Sequence, residues 1–352
     1  MSKPGEDNHH IIVIGASAGG VEAMADLVSG LSADLPAAVF IVQHIPSFSR
    51  SNLDLVLQNY TKLRVKKAED GETVRKGVIY VAVADKHLLL EPGRVLVRKG
   101  PRENRFRPAV DTLFRSAAHA YRDRVIGVVL SGTLNDGTSG MWTIKRLGGR
   151  AIVQDPEEAM FPDMPASVME YSEVDHCLPA REIGTLINTL SREQVEQAGR
   201  TKKGLRDEEL LQIEIDIAKG KNGLTMGILE KGTRSALACP ECHGALTRFK
   251  EGKLIRFRCH TGHAHTAETL LASVRENVEK SMWEVMRGME ESHLLLAELA
   301  RQMERTEQYG VASMYRERLR DIQQRAIKIQ EVIQAESLVE PVVNAGGVKS
   351  FQ

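Results

Sequence analysis

Two stretches of the chain carry residue types that could do chemistry. Ser17 lies in Ile-Ile-Val-Ile-Gly-Ala-Ser-Ala-Gly-Gly-Val-Glu-Ala-Met, residues 11–24, an apolar run that breaks into a glycine-rich turn. A serine hydroxyl is a poor nucleophile near neutral pH, so it needs a base within hydrogen-bond reach and donors for the oxyanion it creates. A helix starting near Gly19 would turn free backbone N–H groups toward Ser17, and Gly15, Gly19 and Gly20 let the main chain approach closely. The base must come from elsewhere in the chain. The second stretch is Cys239-Pro240-Glu241-Cys242, followed after sixteen residues by Cys259 and four positions later by His263. Paired thiolates and an imidazole at this spacing suit a tetrahedral zinc site with no open position, hence a structural one. A hairpin over 245–258 would join the two knuckles, and His243, His260 and His265 also lie near enough to serve as the fourth ligand.

The elements that would position the serine are short apolar strands. Residues 11–14 form one, and Ala-Val-Phe-Ile-Val at 38–42 forms a second that ends at His44. A third, 125–130, leads into Ser-Gly-Thr-Leu-Asn-Asp-Gly-Thr-Ser-Gly-Met, which carries Asp136 at its centre. In open parallel sheets ligands sit outside the carboxyl ends of the strands, so neighbouring strands would bring Ser17, His44 and Asp136 to one rim. There an imidazole could serve as the base and a carboxylate could orient it. Runs at 78–83, 87–90 and 95–97 read as antiparallel additions to the sheet, and 110–121 as a helix. The turn also fits the G-x-S-x-G elbow of α/β-hydrolases and the glycine turn of short-chain dehydrogenases. A dehydrogenase would need an acid where Gln43 and His44 stand and a Tyr-x-x-x-Lys pair, which no tyrosine here offers.

The chain has 352 residues with 47 basic and 47 acidic side chains, so no global field points to nucleic acid or a membrane surface. Arg248, Lys250, Lys253, Arg256 and Arg258 make the ribbon basic, which reads as a solvated face. A polar start and the lack of a long apolar run point to a cytoplasmic protein without membrane insertion. Four cysteines in so long a chain argue against a disulfide scaffold. Residues 192–206 turn polar and basic like a linker, while 210–218 fits either a helix or an extended segment. From 267 to about 335 the helical period dominates, with Leu270, Val274, Val278 and Met282 on one stripe and a break at Gly310. That end reads as a helical hairpin or coiled coil, through which copies of the chain could associate.

Ser17 in Gly-Ala-Ser-Ala-Gly-Gly, His44 in Gln-His-Ile-Pro and Asp136 in Ser-Gly-Thr-Leu-Asn-Asp-Gly, in that order, resemble the catalytic domain of CheB-type protein-glutamate methylesterases. The resemblance spans about 10–192 and takes in Val-Ile-Tyr-Val-Ala-Val-Ala-Asp-Lys-His, Arg107-Pro108 with Asp111, and Gln154-Asp155-Pro156 before Met164-Pro165. A general α/β-hydrolase would place Asp before His and several strands ahead of the serine. The resemblance implies a serine hydrolase that needs no cofactor for catalysis. It would demethylate glutamate methyl esters on the cytoplasmic domain of methyl-accepting chemotaxis receptors, releasing methanol, and could deamidate glutamine. Ser17 would attack, His44 would move the proton and Asp136 would orient His44, with backbone N–H groups of the glycine turns facing the oxyanion. Thr133 replaces the methionine, and Ala18 the threonine, that members often carry near the serine.

The expected fold is α/β: a doubly wound, mostly parallel sheet with an antiparallel β addition, then a small zinc ribbon and a helical hairpin. The expected divisions are a methylesterase domain at 8–194, a linker at 195–235, a zinc-ribbon module at 236–266, helices at 267–337 and a loose tail at 338–352. Only about ten residues precede the first strand, too few for the receiver domain that typical members carry, so control would come from another part of the chain or from a chemotaxis signalling partner. Other readings from the same residues are a signalling-cluster adaptor with weak esterase activity, or a triad hydrolase for another ester.

Overall fold

The computed structural model of the chain describes residues 9–46, 48, 51–194 and 205–335; the expected tail and much of the basic linker lie outside these. Residues 1–270 form one compact unit and 271–352 a second.

The first unit begins with β1 (Ile11–Ala16), α1 (Gly20–Ser29), β2 (Ala38–Gln43), α2 (Leu53–Gln58), β3 (Arg64–Lys67) and β4 (Val78–Val81). Next come β5 (His87–Glu91), β6 (Arg94–Arg98), α3 (Val110–Tyr121), β7 (Val125–Val129), α4 (Thr138–Arg146) and β8 (Arg150–Gln154). This part of the chain closes with α5 (Asp163–Tyr171), β9 (His176–Leu178) and α6 (Ala180–Leu190). Seven strands form one sheet in the order β3-β4-β2-β1-β7-β8-β9, every pairing parallel. The near-continuous Val and Ile of β1, β2 and β7 follow from this arrangement, because both faces of the sheet are covered. Ile11 and Val13 face a core built with α3, α4 and α5, whereas Ile12 and Ile14 face one built with α1, α2 and α6.

The antiparallel addition takes a different form from the one expected. Residues 78–81 pair parallel with both β2 and β3 inside the main sheet. Of the runs expected there, β5 and β6 are the antiparallel ones, as a separate two-stranded hairpin. Its Leu88, Leu90, Val95 and Val97 lie in the same core cluster as α3. Both β4 and β5 are largely apolar and buried nearly along their whole length, and such a run does not by itself say which sheet it joins.

The stretch expected as a linker contains a packed helix, α7 (Leu205–Ala218), in which Ile213, Ile215 and Ile217 are buried. Beyond it, β10 (Thr233–Ala238), β11 (Ala245–Glu251), β12 (Leu254–Cys259) and β13 (Ala264–Thr266) make a four-stranded antiparallel sheet. Two long helices follow, α8 (Ala267–Arg305) and α9 (Tyr309–Gln334), with the interruption at 306–308 and Gly310 inside α9. Glu307 has a left-handed φ of 58° there, and Arg316 of α9 forms an ion pair with Glu304 of α8. Among the described residues no helix is long and apolar enough to cross a membrane.

The small sheet is joined to the large one by buried charge. Arg256 and Arg258, expected on a solvated face, are only 3% and 1% exposed. Arg256 donates to Glu214 of α7 at 2.8 Å and pairs with Glu251. Arg258 donates to Glu103 at 2.8 Å and to Glu214 at 2.9 Å, and Arg115 of α3 pairs with the other oxygen of Glu103. Burial opposes charge on Glu214, but Arg256, Arg258 and Arg115 outweigh it and hold its carboxyl well below the ordinary range. Removing one member leaves buried charges unpaired, which costs about 3–5 kcal/mol. Glu214→Gln should therefore destabilise the protein by about that amount at neutral pH, read from urea unfolding. Because the folded carboxyl is more acidic than the unfolded one, its contribution is full above the unfolded value and is lost as pH falls below it. Variant and wild type should accordingly converge in acid.

Candidate active site

The order β2-β1-β7 settles the geometry of the rim. Three adjacent parallel strands end together, about 4.8 Å apart, and the chain reverses its direction of winding between β1 and β7, where open sheets make a crevice. Ser17 follows β1, His44 follows β2, and the turn bearing Asp136 follows β7.

Backbone bonds tie the three turns together. Ser17 N donates to Ser131 O at 2.9 Å, and His44 N donates to Ala16 O at 3.1 Å. Gln43 Nε2 donates to Ser17 O at 2.6 Å, and Ser131 Oγ to Ala18 O at 2.8 Å. Glycine is required at two positions. A Cβ on Gly132 would stand 2.1 Å from Met164 Sδ and 2.8 Å from Ser17 Cβ. Gly19, the residue before α1, has a φ of 68°, and a Cβ there would meet Ser131 Oγ at 2.7 Å. Leu134 carries a left-handed φ of 63° in the β7 turn, strain of the kind that persists where the surroundings enforce it.

His44 and Asp136 are in contact: Nε2–H donates to Asp136 Oδ2 at 2.8 Å, and both side chains are buried. The imidazole lies flat on the Phe106 ring, with centroids 3.6 Å apart and planes 7° apart. Its other nitrogen, Nδ1, is buried and has no hydrogen-bond partner among the described residues. Ser17, 9% exposed, is in the turn hydrogen-bonded to the His44 backbone through Ala16.

Asp136 accepts four further bonds. Val110 N donates to Oδ2 at 2.7 Å, while Asp111 N at 3.2 Å, Gly137 N at 3.0 Å and Asn104 Nδ2 at 2.8 Å donate to Oδ1. The two amides from 110 and 111 are the first of α3, so a helix N-terminus faces the carboxylate, where both free N–H groups and the macrodipole favour negative charge. Burial opposes charge on Asp136, but the bonds from His44, Asn104 and Val110 prevail and keep its carboxyl below the ordinary value. Asp111, beside it, accepts from Gly137 N, Gly140 N and Asn104 Nδ2. Burial and then the Asp136 charge push Asp111 up to about 7. In the sequence Arg107-Pro108 and Asp111 stand out only as flanks, and Asn104 and Phe106 do not stand out. No local pattern singles out Asn104, which lies six residues before α3.

The oxyanion donors expected from the glycine turns narrow. Ser17 N, Gly20 N and Gly132 N are already engaged with Ser131 O, Ser17 O and Phe161 O. Gln154, another flank of the sequence reading, accepts from Ser131 N at 2.8 Å and braces the turn from β8.

In the small sheet Cys239, Cys242, Cys259 and His263 present one ligand atom each, all within 4.8 Å of one another. Cys242 Sγ and Cys259 Sγ are 3.6 Å apart, and Cys259 Sγ and His263 Nδ1 are 3.6 Å apart. A tetrahedron with metal–sulfur bonds of about 2.3 Å has edges of about 3.8 Å, so the donor set fits such an ion. His265 approaches Cys239 Sγ at 3.9 Å, outside this group of four.

The family model described as CheB methylesterase matches residues 12–187. A Leptospira interrogans relative, named as a protein-glutamate methylesterase/protein-glutamine glutaminase, is 38% identical over 191 residues, 54% of this chain and 99% of the relative. A Thermotoga maritima protein of the same description is 38% identical over 177 residues, covering 49% of this chain and 52% of that one. The crystal structure of the Thermotoga maritima CheB methylesterase catalytic domain aligns with a TM-score of 0.50 at 36% identity, covering 52% of this chain and 98% of that domain. The matching region is the large parallel sheet and its helices, and the chain belongs to the CheB methylesterase family.

Proposed function

We propose that the chain is a protein-glutamate methylesterase that also hydrolyses glutamine side chains, acting on the cytoplasmic domain of methyl-accepting chemotaxis receptors. Ser17 is the nucleophile, His44 the base and Asp136 the residue that orients the imidazole. The observation that carries this reading is the state of His44: Nε2 is fixed by Asp136, buried Nδ1 is left without a partner, and the His44 backbone N–H is bonded to Ala16 O, the residue before Ser17. Asp136 thereby selects the tautomer that leaves Nδ1 with a free lone pair.

In the first half-reaction Ser17 Oγ attacks the ester carbonyl and its proton passes to His44 Nδ1. The oxyanion is met by backbone amides that are not already engaged, with Ala18, Gly19 and Thr133 as the candidates. Main-chain donors also explain why Ala18 and Thr133 can replace the residues common in the family, since the side chain is not the donor. Collapse of the intermediate expels methoxide, which takes the proton from His44 and leaves as methanol. Water then attacks the acyl-serine by the same relay and releases glutamate. With glutamine the leaving group is ammonia.

We further propose that Cys239, Cys242, Cys259 and His263 hold a structural zinc. The zinc ribbon at 236–266 and the helices at 267–337 would then serve as appendages to the catalytic region at 8–194. Three thiolates and one imidazole fill all four positions of a tetrahedron, and such closed sites stabilise folds without doing chemistry.

Ser17→Ala should lose about 10⁴-fold or more in methanol release from methylated receptor while unfolding at the same denaturant concentration. Equal turnover in the variant would exclude the mechanism. The purified chain should contain one zinc per molecule by elemental analysis, and Cys259→Ser should lose both the metal and several degrees of melting temperature. Full metal content in that variant would refute the ligand set.

A further inference from the structure

The small sheet reaches into the hydrogen bonds of the proposed catalytic carboxylate. Its last strand, β13, joins the loop before α3: Asn104 N donates to Ala264 O at 2.8 Å, and Ala264 N donates to Arg102 O at 3.3 Å. Two residues further on, Thr266 N donates to Asn104 Oδ1 at 3.1 Å, and Thr269 Oγ1 donates to the same oxygen at 3.2 Å. The amide orientation of Asn104 is fixed by its surroundings. Oδ1 meets a backbone N–H, so Nδ2 must face the two carboxylates, donating to Asp136 Oδ1 at 2.8 Å and Asp111 Oδ2 at 2.9 Å.

A second strand of this connection runs through the residue next to Asp136. Thr266 Oγ1 donates to Asn135 Oδ1 at 2.6 Å. Thr266 also accepts from Thr269 N at 3.1 Å, and Thr269 Oγ1 accepts from Thr266 N at 2.9 Å, the reciprocal pattern that caps a helix start, here α8. All four side chains are buried: Asn104 is 3% exposed, Asn135 1%, Thr266 1% and Thr269 0%. Asn104 is held with a left-handed φ of 50°, and Arg105 follows at 77°. A turn of two left-handed non-glycine residues needs external support, and β13 supplies it. His263 of the four-ligand cluster precedes Ala264 directly, so the cluster and this pairing share one short segment.

We propose that Asn104 is a positioning residue for Asp136, and that the small sheet, through the Thr266 N–H on Asn104 and the Thr266 hydroxyl on Asn135 beside Asp136, sets the surroundings of that carboxylate in place, so that hydrolysis depends on the sheet although it carries no reacting group. The proposal rests on the reading of Ser17, His44 and Asp136 given above. Asn104 holds one carboxylate oxygen while His44 holds the other, and it neutralises part of the repulsion between Asp136 and Asp111. Without it the carboxylate would be free to turn away from the imidazole. Misplacement of an orienting group by about 1 Å can cost about 10²-fold in rate.

The test uses the full chain and a fluorophosphonate that phosphonylates an activated serine, so that it is independent of which ester or amide the enzyme hydrolyses. Thr266→Val keeps the side-chain shape and removes the hydroxyl, whereas Thr266→Ser keeps the hydroxyl. Thr266→Val should slow phosphonylation of Ser17 about 10-fold and Thr266→Ser should restore it, with zinc content and melting temperature followed in both. Asn104→Leu should slow labelling about 100-fold. Unchanged labelling in either Thr266→Val or Asn104→Leu overturns the proposal, as does an equal loss in Thr266→Val and Thr266→Ser. If Asn104→Leu fails to fold, the Thr266 pair decides. Wild type that is phosphonylated at Ser17 but releases no methanol from receptor refutes the proposed substrate and leaves this inference standing. Wild type that is not labelled at Ser17 refutes both.

Discussion

A carboxylate buried to 1% exposure has to be surrounded by donors, and that requirement at Asp136 organises the rim of the large sheet. Five donors meet it: an imidazole, an asparagine amide and three backbone amides, two of them from the mouth of α3. Each donor comes at a structural cost elsewhere. The helix start fixes the loop before it, the loop holds Asn104 and Arg105 with left-handed backbone, and Phe106 from the same loop lies on His44. The imidazole, the carboxylate and the ring stacked on the imidazole are thus all restrained by one loop.

The same loop is where the small sheet attaches. Glu103 pairs with Arg115 and Arg258, Asn104 bonds β13, and Arg102 accepts from Ala264. Three arginines sunk among four carboxylates are a poor way to gain stability, because desolvation cancels much of the attraction. They are an effective way to specify one docking arrangement, since any shift leaves a charge unpaired. That explains why the interface is ionic where a greasy one would have been simpler. It also explains why Arg256 and Arg258 mislead a reader of the sequence: alternating basic residues on a ribbon look like a solvated face until an acidic helix packs on them.

The Thermotoga maritima catalytic domain aligns over 98% of its own length with about half of this chain, and the family match ends at residue 187, so the small sheet lies outside the shared region. The addition, as proposed, acts on the site of the shared region and does not create one. On the proposed reading it leaves Ser17 and the oxyanion turn untouched and bears only on the far side of Asp136, the one part of the relay that substrate does not need to reach.

The sequence by itself determined the parallel core and the three loops. Unbroken Val and Ile runs can be satisfied only by burial on both faces, and a glycine turn at the end of such a run must open onto the carboxyl rim. The spacing of Cys239, Cys242, Cys259 and His263 likewise determined a cluster, because paired ligands on two short knuckles converge for local reasons. Tertiary structure alone decided that 78–81 joins the main sheet in parallel, that 205–218 is a packed helix, and that Arg256 and Arg258 are buried. It also decided that Asn104 and Thr266, 162 positions apart, meet behind Asp136. Periodicity records which face of an element is apolar. Which partner covers that face, and which polar side chains then have to pair inside, depends on contacts between segments far apart in the chain, and no local pattern encodes them.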